Sequence, residues 1–157
     1  MTNKIDSTIE SLIGTTIDIS SPDATIAFAK RISTIVTPGT PILLYGTLGT
    51  GKTFFTTHLI RTLMNNENEP VPSPTFSILQ QYITPAGSTI SHYDLYRIKD
   101  ANELFELNID EALQNHITII EWPEIIDDYI RDSFPYIAIK FTITPTTRTV
   151  SITSDNA

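Results

Sequence analysis

Apolar positions along the chain fall into short runs of two kinds, and their order predicts the fold. "TTIDIS", residues 15–20, alternates with the period of a strand. After it, Ser21, Pro22 and Asp23 supply an N-cap, a first helical position and an acid in the first turn. Phe28, Ile32, Ile35 and Val36 then recur at i, i+4, i+7 and i+8, one buried helical face. Pro38 and Gly39 turn the chain into "PILLY", a continuous apolar run suited to a parallel strand covered on both faces. A glycine-rich loop follows, then a second helix with Phe55, Leu59 and Leu63 on one side.

Beyond residue 74 the runs are strand-like again. "TFSILQQYI" and "STISHYDLY" flank "TPAG", a hairpin turn. Asp100 and Glu103 form a capping-box pattern that predicts a helix through Leu107, and Asp110 predicts the start of another. "HITII" is a second buried strand, ended by Glu121, Trp122 and Pro123. An acidic helix leads to "YIAIKFTIT" and "RTVSIT", a closing strand pair. Strands separated by helices alternate with strands joined by hairpins, so the expected class is α/β: a single domain with a mixed, mostly parallel sheet flanked by helices and a β-hairpin after the second helix. The core is expected over about residues 16–153 of 157, with 1–14 and 154–157 as flexible tails.

Composition narrows the class. An apolar share of 40% and a charged share of 18% describe a globular chain. "MTNKIDSTIE" lacks the apolar segment of an export signal, and no stretch approaches the ~20 apolar residues of a membrane span. With no cysteine, disulfides and thiolate metal sites are excluded, and a cytoplasmic enzyme or switch is expected. The net charge of −8 sits entirely in residues 101–132, where nine acids face one base, Arg131. Such a segment repels a phosphate backbone and speaks against tight unaided binding of nucleic acid. It is either a solvated helical face or a docking surface for a basic partner.

The loop carries the chemistry. "GTLGTGKT", Gly46 to Thr53, fits G-x-x-x-x-G-K-[ST] and holds three of the six glycines, Gly46, Gly49 and Gly51. Glycines let backbone N–H groups converge on oxyanions, and the helix that begins near Gly51 adds its positive end. Lys52 reaches β- and γ-phosphates, and the Thr53 hydroxyl is a Mg²⁺ ligand. A Mg²⁺–nucleotide site also requires a carboxylate at a strand end beside the loop. Glu121 ends "ITII" in the layout of a Walker B acid; Asp94 in "HYDLYR" is the second candidate. The pattern favours Glu121 as metal ligand or water-positioner. Trp122, the one tryptophan, is a core residue or a ligand contact, and its place beside Glu121 makes it a fluorescence reporter; His92 is a polarising group or a hydrogen-bonded structural one.

Other nucleotide enzymes fit less well. D-x-x-G, required of a GTPase, is absent, and "NKID" at Asn3–Asp6 precedes the first strand, where it lines no base pocket. A kinase lid needs clustered arginines, yet Arg61, Arg97, Arg131 and Arg148 are scattered. Motors of the helicase or transporter type are larger and more basic. A compact ATPase that controls another process is the remaining class. A small-metabolite kinase and a nucleotide-gated binding module without turnover are the alternatives.

In order, "GTLGTGKT", "SPTF", "HYDLYR", "NELFELNIDEAL" and "IIEWPE" resemble the TsaE (YjeE) family, the small bacterial ATPases of tRNA threonylcarbamoyladenosine formation, from about Asp18 to Val150. The resemblance implies ATP or ADP and Mg²⁺ as cofactors. It implies that Gly49, Thr50, Gly51, Lys52, Thr53 and Phe54 wrap the phosphates, that Thr53 and Glu121 hold Mg²⁺, and that Asp94 acts near the γ-phosphate. Ser73 and Thr75 would form a switch-like loop, and Pro22, Thr25 and Arg148 fall where adenine-side contacts lie. The implied partners are the threonylcarbamoyl-transferase catalytic subunit and its non-catalytic paralogue, of TsaD and TsaB type, with no tight direct contact to tRNA and none to membrane. The implied outcome is modification of A37 in tRNAs reading ANN codons. The chain departs from the family pattern, which has Asp at Thr47, Ala at Thr50, and Gly at His58 and Asn108. Thr50 contributes mainly backbone; His58 is expected to crowd the loop helix; Asn108 is expected to take the left-handed turn that Gly favours. Lys52, Thr53, Asp94 and Glu121 are all kept, so activity is expected.

Overall fold

Two apolar layers form on opposite faces of one sheet in the computed structural model, which describes residues 9–155. The elements run β1 (Thr16–Asp18), α1 (Pro22–Ser33), β2 (Ile42–Tyr45), α2 (Lys52–Met64), β3 (Leu79–Ile83), β4 (Thr89–Asp94), α3 (Asn102–Glu106), α4 (Ile109–Asn115), β5 (Ile117–Glu121), a 3₁₀ turn (Pro123–Ile126), α5 (Asp127–Ser133), β6 (Ile137–Ile143) and β7 (Arg148–Ser154). The strand order is β1-β7-β6-β2-β5-β4-β3. Strands β6, β2, β5 and β4 are mutually parallel, while β3 and the β7–β1 pair join antiparallel at the edges. This is the expected α/β class, hairpin included.

Alternation along each strand sorts side chains to the two layers. Ile42 and Leu44 of β2 face the layer that holds Phe28 and Ile32 of α1 and Phe55 and Leu59 of α2. Leu43 faces the other layer, with Leu104 of α3, Ile109 and Leu113 of α4 and Ile130 of α5. In the first layer, Phe55 packs 5.2 Å from Phe28 and 5.6 Å from Phe141 between ring centroids, tying α1, α2 and β6 together. α1 starts as its sequence predicts, with the Ser21 hydroxyl accepting from the Ala24 N–H at 3.1 Å and Pro22 at the first turn.

Four local expectations change. β3 begins at Leu79, because Thr75–Ser77 turn and Ile78 takes a left-handed conformation, φ +69°. Asp100 does not close a reciprocal box with Glu103; its carboxylate accepts from the Asn102 N–H at 2.9 Å. α4 starts one residue before Asp110, with Asn108 at φ +55° as the left-handed cap. Of the expected tails, 1–8 and 156–157 lie outside the described residues. Residues 9–12, though, form a helical turn whose Leu12 is buried in the first layer, Ile13 bridges to Ile152, and Ser154 belongs to β7. An apolar side chain that finds the core holds its backbone there.

Candidate functional site

The loop between β2 and α2 sits at the carboxyl end of the parallel strands, the side on which open α/β sheets form their clefts. α2 is capped by Gly51 at φ +104° with no side-chain cap, and its first turn carries no acid. Its first N–H groups therefore have neither an intrahelical partner nor a capping side chain. A cleft of about 290 Å³ opens against them, lined by Leu48 through Phe54, Thr75, Asp94, Glu121 and Trp122.

The two candidate carboxylates meet because of strand register. Asp94 and Glu121 are direct neighbours across the parallel β4–β5 pair, each ending its strand, so both side chains emerge on the α2 face. They are buried, at 6% and 2% exposure. The Thr53 hydroxyl donates to Glu121 Oε1 at 3.3 Å. Asp94 is held at both oxygens: Oδ2 accepts from the Thr75 hydroxyl at 3.1 Å and Oδ1 from the Tyr96 N–H at 3.0 Å. Ser73 Oγ lies 2.8 Å from Thr75 Oγ1, so the "SPTF" hydroxyls form a chain ending on Asp94. Arg97 stacks over the exposed Phe76 ring at 4.6 Å, which ties that segment to "HYDLYR" a second time.

Lys52 is 5% exposed and donates to the Gly46 carbonyl. Its Nζ also lies 3.7 Å from the centroid of the Trp122 ring, a cation–π contact. Burial pushes the Lys52 ammonium below its ordinary value, and Glu121, Glu124 and Asp94 pull the other way. Trp122, half-buried at φ +57°, is thus a wall of the cleft as well as a packing residue.

Pro22, Thr25 and Arg148, far apart in sequence, line a second pocket of about 200 Å³ that shares Thr50, Gly51 and Phe54 with the first. The Ile19 N–H donates to the Arg148 carbonyl at 2.8 Å, and the Arg148 N–H to the Ser20 hydroxyl at 3.0 Å. The start of β7 is thereby stapled to the entry of α1, and Thr25 Oγ1 fixes the turn by donating to the Ile19 carbonyl at 3.1 Å. Of the residues that the family resemblance implies for the site, each borders one of these two pockets except Ser73, which reaches the first through Thr75. His58, expected to crowd α2, lies half-exposed on its outer side, 4.5 Å from the Phe54 ring.

The contact of His92 with Glu121 was not anticipated. His92 Nε2 is 2.6 Å from Glu121 Oε2, with both side chains buried. Period-two alternation puts His92 on one face with Asp94, but the β4–β5 register that brings that face to Glu121 is not legible in the sequence.

The donor set at the Thr53–Glu121 contact is one hydroxyl and one carboxylate. Among the described residues no three His, Cys, Asp or Glu side chains cluster to hold a metal. Two hard oxygen donors beside a helix end with uncapped N–H groups fit Mg²⁺, a cation that takes few protein ligands and keeps several waters. Among the described residues no helix is long and apolar enough to cross a membrane.

A model of the family described as "Threonylcarbamoyl adenosine biosynthesis protein TsaE" matches residues 19–150. The protein of that name from Rickettsia bellii is 45% identical over 108 residues, 69% of this chain and 74% of its own. That from Bacillus subtilis is 32% identical over 121 residues, 76% and 73% of the two chains. Among solved structures, YdiB from Bacillus subtilis superposes with a TM-score of 0.61 at 24% identity, covering 90% of this chain and 86% of its own, a likeness of fold.

Proposed function

Because the chain belongs to the TsaE family of threonylcarbamoyl adenosine biosynthesis proteins, we propose that it is the Mg²⁺-dependent ATPase subunit of that pathway, serving N6-threonylcarbamoyladenosine formation at A37 of tRNAs that read ANN codons. One observation carries the reading: Thr53, at the start of the loop helix, lies 3.3 Å from a buried strand-end glutamate. A hydroxyl and a carboxylate so paired, beside a lysine and unpartnered helix N–H groups, suit a Mg²⁺–triphosphate and little else.

The roles follow from position. The backbone from Gly49 to Phe54 wraps the phosphates, and Lys52 exchanges the Gly46 carbonyl for β- and γ-phosphate oxygens. Thr53 and Glu121 would hold Mg²⁺, which would offset the negative charge that builds on the phosphates. Asp94 stands beside the γ-phosphate and orients the attacking water, with Thr75 and Ser73 passing the state of that phosphate to the exposed segment around Phe76. The pocket of Pro22, Thr25 and Arg148 receives adenine.

Turnover serves partners rather than a bound metabolite. The partners are the threonylcarbamoyl-transferase catalytic subunit and its non-catalytic paralogue, of TsaD and TsaB type, which contact the tRNA while this chain cycles between ATP and ADP. Phosphate release from Mg-ATP, alone and with the two transferase subunits of the same organism, tests the reading. Stimulation that tracks tRNA modification is the expected outcome, and Lys52→Ala should abolish it. Turnover indifferent to those subunits, with modification proceeding without this chain, would remove the pathway role; undiminished hydrolysis by Lys52→Ala would remove the site.

A further inference from the structure

We infer that His92 is a positioning residue for Glu121: its ring fixes one oxygen of the carboxylate so that the other stays turned toward Thr53 and the cation. The inference rests on the Mg²⁺–nucleotide reading of the cleft and adds a residue to it. The two oxygens of Glu121 have different neighbours, His92 Nε2 at 2.6 Å from Oε2 and Thr53 Oγ1 at 3.3 Å from Oε1. An ionised carboxylate only accepts, so the ring presents a hydrogen on Nε2. At 2.6 Å to a charged acceptor this is a short, strong bond, while the Thr53 contact is long and easily exchanged for a ligand.

His92 is a poor choice for packing alone. It is 1% exposed, on a sheet face it shares with the fully buried Ile90 and Ile119. Its Nδ1 is buried and finds no hydrogen-bond partner among the described residues. An unpaired buried polar atom is destabilising, and an apolar side chain there would avoid the cost. The Nε2 bond to Glu121 offsets that cost and explains the imidazole.

The constraint has a chemical purpose. Glu121 lies within the field of the Lys52 ammonium. A carboxylate free to rotate would swing to pair with that ammonium, leaving Thr53 without its co-ligand and the lysine without its charge for phosphate. Hydrogen bonds behind a ligating carboxylate hold it against such rotation, and losing one lowers metal affinity by about 10–100-fold.

The test is ADP binding followed by Trp122 fluorescence, in EDTA and across a Mg²⁺ titration. His92→Leu should raise the Mg²⁺ concentration for half-maximal effect by about tenfold or more, with ADP affinity in EDTA within about twofold of wild type. His92→Gln, whose amide nitrogen can stand where Nε2 does, should recover most of the loss. A Mg²⁺ dependence unchanged in His92→Leu, or lost equally in both variants, overturns the inference. So does weakening in EDTA as large as in Mg²⁺, which would mark a packing role. If neither variant folds, ¹⁵N NMR of the wild-type ring decides: hydrogen on Nε2 supports the inference, and hydrogen on Nδ1 alone overturns it. ADP binding by the wild type that ignores Mg²⁺ would instead sink the underlying reading, and the inference with it.

Discussion

Gly46 enters the glycine-rich loop at φ +144°, and a Cβ there would stand 2.8 Å from the Phe141 carbonyl oxygen and 3.1 Å from the Phe141 Cβ. The obstacle is the backbone of β6, which cannot step aside at Phe141 without disturbing its pairing with Val150 of β7. Gly46→Ala should therefore lower stability by about 1–3 kcal/mol and shift the loop whose Gly46 carbonyl accepts from Lys52. Urea unfolding and ADP binding would register both effects; a variant that melts and binds like wild type would mean that the strand yields. Ile78 shows the opposite relation between residue and backbone. A β-branched side chain at φ +69° costs on the order of 1–2 kcal/mol, and nothing in "TFSIL" asks for it. The Ile78 carbonyl accepts from the Asp94 N–H at 2.9 Å, so the conformation follows from a neighbour that the local sequence does not reveal.

Elements were legible wherever the signal was local. Ser21 and Pro22 mark α1, "PILLY" contains β2, and the hairpin turn lies between β3 and β4. Boundaries failed where a distant partner set them: β3 starts late because Thr75 turns to reach Asp94. Asn108 did as expected of it, taking φ +55° at the junction of α3 and α4. That junction is braced from beneath by Tyr93 of β4, whose hydroxyl donates to the Leu107 carbonyl at 3.1 Å. Burial pushes the Tyr93 phenol up to about 12 from its ordinary 10. Its folded value is the higher one, so its contribution is intact below pH 10 and is lost as pH rises from there toward 12. Between pH 9 and 11 the loss amounts to about 1 kcal/mol. Urea unfolding at both pH values should give a smaller alkaline loss for Tyr93→Phe than for wild type. Equal losses would assign the alkaline sensitivity to other groups.

At the scale of the molecule, the loop motif announced a nucleotide site, but only the sheet explains why Asp94 and Glu121 share it. Their adjacency is a register between strands 27 positions apart in sequence, and tertiary pairing of that kind leaves no trace in periodicity. The recruitment of Arg148 to the entry of α1 by the last strand is hidden for the same reason. Charge, by contrast, was legible at once and gains a location. The acidic stretch 101–132 makes up α3, α4, β5, the 3₁₀ turn and α5, so most of its nine acids lie on the helices of one face of the sheet. On the other face α1 exposes Lys30 and Arg31 beside a half-buried Arg61 of α2, too few bases to neutralise a run of phosphates. Affinity for nucleic acid scales with the phosphates neutralised and falls steeply with salt. The isolated chain should therefore leave the anisotropy of labelled tRNA unchanged at micromolar protein in about 100 mM salt, with or without Mg-ADP, and associate with tRNA only when the transferase subunits are added. Micromolar binding by the chain alone, weakening steeply as salt is raised, would require a basic track across the sheet edges and would place this protein on the tRNA itself.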